Sequence, residues 1–343
     1  VFAAGKDRQV LALDLATGAE RWSYGPGGAV TSTAAVVNGI AYFGSNDQRV
    51  YAIDVRDGSE RWHVETDGWI ESSPAVSDGT VYVGSWGGTL YALDAEDGRE
   101  QWRLRTGENA IRSSSVVING VVYIGSETGL IHAVDAADGS LRWERESGGK
   151  RVDSSPAIVD GRLYVGVHDE DGNVLALDAE TGQELWRTAT GAWVRATPAV
   201  AVGTVYASGD GGLIVAIDAL TGKERWRSGN AIEGTRSSLA ISGGSVFAGV
   251  RGGFLIALNA ADGSERWRVS TGEWIVSSPA VADGLVMVGG QNGSVIALDA
   301  ATGTRAWTIS LALPLVSSPV IVSGQVFIGT GYGELVALRG ATF

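Results

Sequence analysis

Asp178-Ala179-Glu180-Thr181-Gly182-Gln183-Glu184-Leu185-Trp186 is one of eight copies of a single phrase in this 343-residue chain. The other copies start at Asp14, Asp54, Asp94, Asp135, Asp218, Asn259 and Asp299, and they end at Trp22, Trp62, Trp102, Trp143, Trp226, Trp267 and Trp307. In each, Gly stands four residues after the first position and Trp eight after it, and successive Trp are 40, 40, 41, 43, 40, 41 and 40 residues apart. A period this strict marks a repeat architecture whose units bury their apolar faces against one another.

Working outward from the phrase, each period divides into four short strands of alternating Val, Ile, Tyr and Ala, separated by Gly-containing turns. In one copy the pattern predicts an inner strand around Ser72 to Val76, a second from Val81 to Ser85, a third from Leu90 to Asp94 and a fourth from Arg99 to Arg103. Helix is predicted nowhere. The Asp at the head of the phrase can cap turn amides through its carboxylate, and Gly supplies the positive φ that tight hairpins need. Four antiparallel strands repeated eight times describe an all-β, eight-bladed propeller forming one domain over residues 1–343. The recurrent Trp is then a core residue between blades, not a ligand site.

Composition narrows the function. The chain has no Cys, which removes thiolate nucleophiles, disulfides and Cys-ligated metals. With 26 Lys+Arg against 39 Asp+Glu, net charge −13, it lacks a basic footprint for nucleic acid. No apolar run reaches the 18 or so residues that span a bilayer, and Val1 opens directly into patterned sequence with no leader-like segment.

The phrase, extended to Ala176-Leu177-Asp178 through Trp186, resembles the tryptophan-docking motif of pyrroloquinoline-quinone (PQQ) propellers, and the resemblance covers the whole chain. The Gly-His and Trp-Asp dipeptides of WD-type repeats occur in no copy. The resemblance implies a quinoprotein-alcohol-dehydrogenase-like fold and an extracytoplasmic place, periplasmic or extracellular. It does not imply the cofactor, because relatives include non-catalytic scaffolds of outer-membrane assembly and sensor regions of membrane-bound kinases. PQQ dehydrogenases of the family commonly cover the quinone with a vicinal Cys pair, which this chain cannot supply, and hold a divalent ion near the axis. His63, His132 and His168 fall in unrelated parts of the repeat and form no spaced ligand set. The expectation is therefore a binding, scaffold or sensor propeller without cofactor or metal. A PQQ-dependent dehydrogenase lacking the Cys pair and an outer-membrane assembly scaffold are the alternatives.

Comparing the repeats with each other locates a candidate site. Just before each Ser-Ser-Pro-like segment stands a triplet whose middle residue is apolar or β-branched and whose outer residues vary. The outer positions include Trp69 and Glu71, Arg112, Arg151 and Asp153, Trp193 and Arg195, Arg236, and Trp274. By strand alternation the two outer residues share a face. The loop between the second and third strands varies too, from Trp86 to Glu127, the His168–Asn173 stretch, Asp210 and Arg251. In propellers of this kind both segments lie beside the central channel. The four Trp outside the phrase, Trp69, Trp86, Trp193 and Trp274, all fall there, and Trp with Arg is a composition typical of binding surfaces. The expected ligand is a protein partner or a small molecule. The competing reading is a plug of compensating ion pairs with Trp as lids. Asp169-Glu170-Asp171-Gly172-Asn173 alternates oxygen groups like a calcium loop, yet it lacks the sixth-position Gly and reads as a hairpin tip. Gly329, Gly331 and Gly333 sit between strands, so they read as a turn and not as a phosphate loop.

The ends of the chain do not divide evenly. Val1 to Asp14 reads as a second and third strand, and Gln325 to Leu338 reads as the same two again, giving nine middle hairpins for eight Trp strands. Closure is expected to mix both termini in one blade, the C-terminal inner strand joined by N-terminal strands, with one hairpin left over or packed as an addition; a nine-bladed ring with two three-stranded end blades is the lesser alternative.

Overall fold

The computed structural model describes residues 2–5, 9–13, 20–228, 234–235, 237–272, 274–275, 277–310, 318, 320–322, 325–329 and 335–339, with side chains from Tyr24 to Ser310, except Ile309, and at Ser318. Seven four-stranded antiparallel sheets follow one another as blades 1 to 7, spanning 35–65, 75–105, 116–146, 157–189, 199–227, 240–270 and 280–310. Each is a meander in which consecutive strands pair. Every described regular element is a strand. Two three-stranded sheets, 2–24 and 320–339, complete the chain, and Phe2–Gly5 lies alongside Gln325–Gly329 and Leu335–Arg339. The termini therefore meet, as closure requires. Among the described residues the two partial sheets stay distinct, so both middle hairpins are kept side by side rather than merged into one four-stranded blade.

The repeat phrase links consecutive blades. The Trp62 ring of blade 1 packs on Gly98 of blade 2, whose φ is 75°, and a Cβ there would come within 2.7 Å of the indole. Only Gly satisfies both the backbone angle and the approach. The same contact joins Trp102 to Gly139, Trp143 to Gly182, Trp186 to Gly222, Trp226 to Gly263 and Trp267 to Gly303. Each of these Trp donates its Nε1–H to the carbonyl of the next blade's phrase, at 2.9–3.1 Å. In blades 1 to 5 a Tyr hydroxyl donates to the same carbonyl, as Tyr42 does beside Trp62 on Ala95. The indole thus loses water without losing its hydrogen bond, and truncating such a residue typically costs about 3–5 kcal/mol. The side chain of Trp22 lies outside the described residues, and Trp307 is half-buried.

The phrase's Asp acts as expected. Asp218 accepts the backbone N–H groups of Leu220 and Thr221 and the Thr221 hydroxyl, and Arg225 reaches its other oxygen at 2.7 Å. These donors hold its carboxyl well below the usual carboxylate range.

A second belt runs nearer the axis. The inner strand begins at Ala75, after Pro74, so Ser72 and Ser73 lead into it instead of forming part of it. Their hydroxyls do lateral work: Ser72 Oγ bridges the Gly84 N–H and C=O, while the backbone N–H of Thr33, Ser73 and Ser114 donates to the hydroxyl of Ser73, Ser114 and Ser155 in the next blade. Thr197, Ser238 and Ser278 continue the pattern toward Ser318.

Two positions depart from the repeat at a cost. The first-hairpin turns place Asn38, Asp78, Asn119, Asp160 and Asp283 at φ of 49–51°, whereas blade 5 puts a β-branched residue, Val202, at 47° with 98% exposure. Val gains nothing there and strains the backbone. Val202→Asn should stabilise the protein by about 1 kcal/mol, read as a higher urea midpoint at unchanged slope; an unchanged midpoint would show the turn to be unstrained. The second is His132, buried at a position held by Tyr51, Tyr91 and Leu175 in other blades. Its Nε2 lies 3.0 Å from Glu144 without hydrogen-bond alignment. Burial lowers its pKa despite that carboxylate. Because the folded imidazole resists protonation, its contribution is complete above the unfolded pKa of about 6.5 and is lost as pH falls through the lower folded value. The stability of His132→Leu relative to the parent should therefore rise as pH drops below 6.5, measured by urea titration across pH; a constant difference would refute it.

Candidate functional site

The variable triplets are wedged between blades by their middle residue. Ile70, Ile111, Val152, Val194 and Ile275 are essentially inaccessible and pack on glycines of the preceding blade. A Cβ on Gly44 would lie 1.9 Å from Ile70 Cγ2, so the glycine is what admits the wedge. The first residue of each triplet is tied by its carbonyl to the variable loop of its own blade: Trp86 N–H donates to Trp69, Glu127 to Ala110, His168 to Arg151, Asp210 to Trp193 and Gln291 to Trp274. Two variable positions per blade are thereby set side by side on one face.

Across blades 2 to 5 these side chains form one continuous array. The Trp69 and Trp86 rings are 5.0 Å apart, and the Arg112 guanidinium lies 4.6 Å over Trp86. Arg112 Nε is 3.8 Å from Glu71 and 3.0 Å from Glu127. Glu127 also pairs with Arg151, whose Nε is 3.5 Å from Asp153. Asp153 faces His168 at 4.0 Å, and the His168 ring centre lies 3.8 Å from that of Trp193, the two planes tilted by 39°. Arg195 lies 5.4 Å over the same indole and 3.3 Å from Asp210. Burial and the Arg195 charge lower the His168 pKa, so the imidazole is neutral near pH 7.

Two properties of the array matter chemically. Trp69 and Trp193 remain 44% and 42% exposed. Among the buried polar atoms of the array, Trp86 Nε1, His168 Nδ1 and Asp210 Oδ1 lack a hydrogen-bond partner in the protein, whereas the guanidinium Nε atoms, Glu127 Oε1 and Asp153 Oδ1 are held in the ion pairs above without hydrogen-bond alignment. Ion pairing compensates the charges, as the plug reading expects, yet hydrogen-bonding capacity is left over.

Eight of the ten residues singled out from sequence fall in this array. Trp274 stands on the same face, 53% exposed, but outside it, and Arg236 lies outside the described residues. Glu127, His168 and Asp210 were not singled out, although the variation of their loops was the signal that marked them. Asp169 binds Asn173 through both carboxylate oxygens, which makes its loop a self-contained turn. Gly331 and Gly333 are outside the described residues. His63 sits at the exposed rim against Glu60. Among the described residues no group of three or more His, Cys, Asp or Glu is placed to hold a metal ion.

A calcium–quinone pair does not fit this donor set. Hard cations need carboxylates free to coordinate, whereas Glu71, Glu127, Asp153 and Asp210 each lie within ion-pair distance of a guanidinium. The vicinal Cys pair is absent from the sequence.

Comparison with solved structures places the fold among both scaffolds and enzymes. BamB from Moraxella catarrhalis matches with TM-score 0.67 and 19% identity, over 100% of this chain and 92% of that one. Quinohemoprotein alcohol dehydrogenase from Comamonas testosteroni matches with TM-score 0.78 and 18% identity, over 98% and 78%. The computationally designed Ika8 protein matches with TM-score 0.78 and 19% identity, over 91% and 96%. At these identities the likeness establishes the fold alone. A comparison with curated proteins finds no match. The PQQ-repeat family model described as outer membrane protein assembly factor BamB matches residues 6–155, 127–233 and 210–342, nearly the whole chain, and the chain belongs to that family of PQQ-like propellers.

Proposed function

We propose that this chain is a non-enzymatic, extracytoplasmic binding propeller, a scaffold or sensor domain whose axial face recognises a protein partner or a small molecule. The observation that carries the reading is the array from Trp69 to Asp210, in which half-exposed indoles and stacked guanidiniums are drawn from four blades onto one face. Aromatic and Arg side chains dominate the energetics of recognition surfaces. A scaffold role in outer-membrane assembly is the version favoured by the family description.

The enzymatic reading has support only from fold analogy. Equilibrium dialysis with PQQ and calcium, followed by dye-linked alcohol oxidation, should give neither retention nor turnover. Turnover would overturn the proposal. Replacing Trp69, Trp193 and Trp274 together by Ala should shift Tm by no more than the few degrees expected of about 1 kcal/mol, because these indoles are half in water. Loss of folding in that variant would make them core residues and remove the basis for the site.

A further inference from the structure

Taking the axial face as a binding site, the geometry points to a neutral, polyhydroxylated ligand of extended shape, an oligosaccharide chain, as what this face accommodates. Charge is the first argument. Glu71, Glu127, Asp153 and Asp210 are each within ion-pair distance of Arg112, Arg151 or Arg195, so a free anion or cation would have to displace a partner already in place. A neutral ligand faces no such competition.

Hydrogen bonding is the second. The buried atoms left outside the ion pairs and without a partner are mixed in kind: a donor at Trp86 Nε1, an acceptor at Asp210 Oδ1, and His168 Nδ1. The Asp210 side chain is only 17% exposed, yet its Oδ1 has no donor in the protein. Buried polar atoms require a partner, from water or from a ligand. A hydroxyl serves equally as donor and acceptor, so a polyol can answer both kinds of atom and take over the role of bridging water.

Shape is the third. Half-exposed indoles stand toward both ends of the array, Trp69 just before blade 2 and Trp193 just before blade 5. Flat indole faces suit the C–H faces of pyranose rings, and an array drawn from four consecutive blades is matched by several linked rings, not by one.

Titration calorimetry and tryptophan fluorescence with cellohexaose, maltohexaose and chitohexaose test this, with hexalysine and an oligogalacturonate as charged comparators. At least one neutral hexasaccharide should bind with little dependence on salt. Trp69→Ala and Trp193→Ala should each weaken it at least tenfold while keeping the parental Tm. Asp210→Asn, which preserves volume but removes an acceptor charge, should weaken it severalfold and serves as the check if an indole variant folds poorly. If no neutral hexasaccharide binds at roughly 1 mM, the assignment is overturned. If a charged comparator binds instead, and does so through Trp69 and Trp193, the ligand class falls while the axial face stands as a binding site. If binding of every probe survives the indole substitutions, the axial location falls as well.

Discussion

Everything in this ring depends on an indole of one blade lying on a glycine of the next. The Trp62 ring needs Gly98 to have no Cβ, and Gly98 in turn sits at a φ that few other residues adopt. Because the partners belong to adjacent repeats, neither blade completes its own core, and stability becomes a sum of interfaces instead of a sum of units. The Ser belt nearer the axis repeats this arrangement in polar form, with an amide of one blade on a hydroxyl of the next. A damaged blade therefore weakens two interfaces, which accounts for the strictness of spacing across eight copies.

That constraint also decides where function can be written. Phrase, Tyr, Ser-Ser segment and triplet centre are all committed to neighbours. The residues without such duties are the outer two of each triplet and the leading loop residue beside them, which a backbone hydrogen bond keeps adjacent. The scaffold thus presents up to three free positions per blade around its axis. In blades 2 to 5 all but Ala110 and His168 are indoles, guanidiniums or carboxylates, giving a face that is polar and aromatic yet nearly charge-balanced.

The fold was legible because its determinants are local and recur: Asp, Gly and Trp at fixed offsets name the turn, the close approach and the interface. The middle residue of the triplet was legible as a packing position for the same reason. Glu127, His168 and Asp210 were harder to single out, because their importance comes from partners on other blades. Nothing near Glu127 in sequence announces that it will stand between Arg112 and Arg151. The limits of the inner strand were misjudged at Ser72 and Ser73, whose hydroxyls are used between blades while Pro74 removes the N–H a ladder would need. The strand pattern of the repeat showed that the termini hold a duplicated hairpin, but how two partial sheets share a ring is settled by packing alone.

Two histidines show how position on the same blade pattern separates structure from recognition. His132 lies within a third strand, and burial lowers its pKa while its nitrogens go without aligned partners, so it is a weak point of the core. His168 lies just beyond the end of a second strand, where the loop opens toward the axis, and its pKa is lowered as well. There the neutral ring lies against Trp193 at a tilt, with Asp153 within 4.0 Å. A charged imidazole in that place would add a third cation between Arg151 and Arg195. As a neutral ring it adds no charge to the ion pairs on either side. The balance of the axial surface is thus set by desolvation as much as by the choice of charged residues, and a propeller of the same backbone with free carboxylates at these positions would be suited to a different ligand.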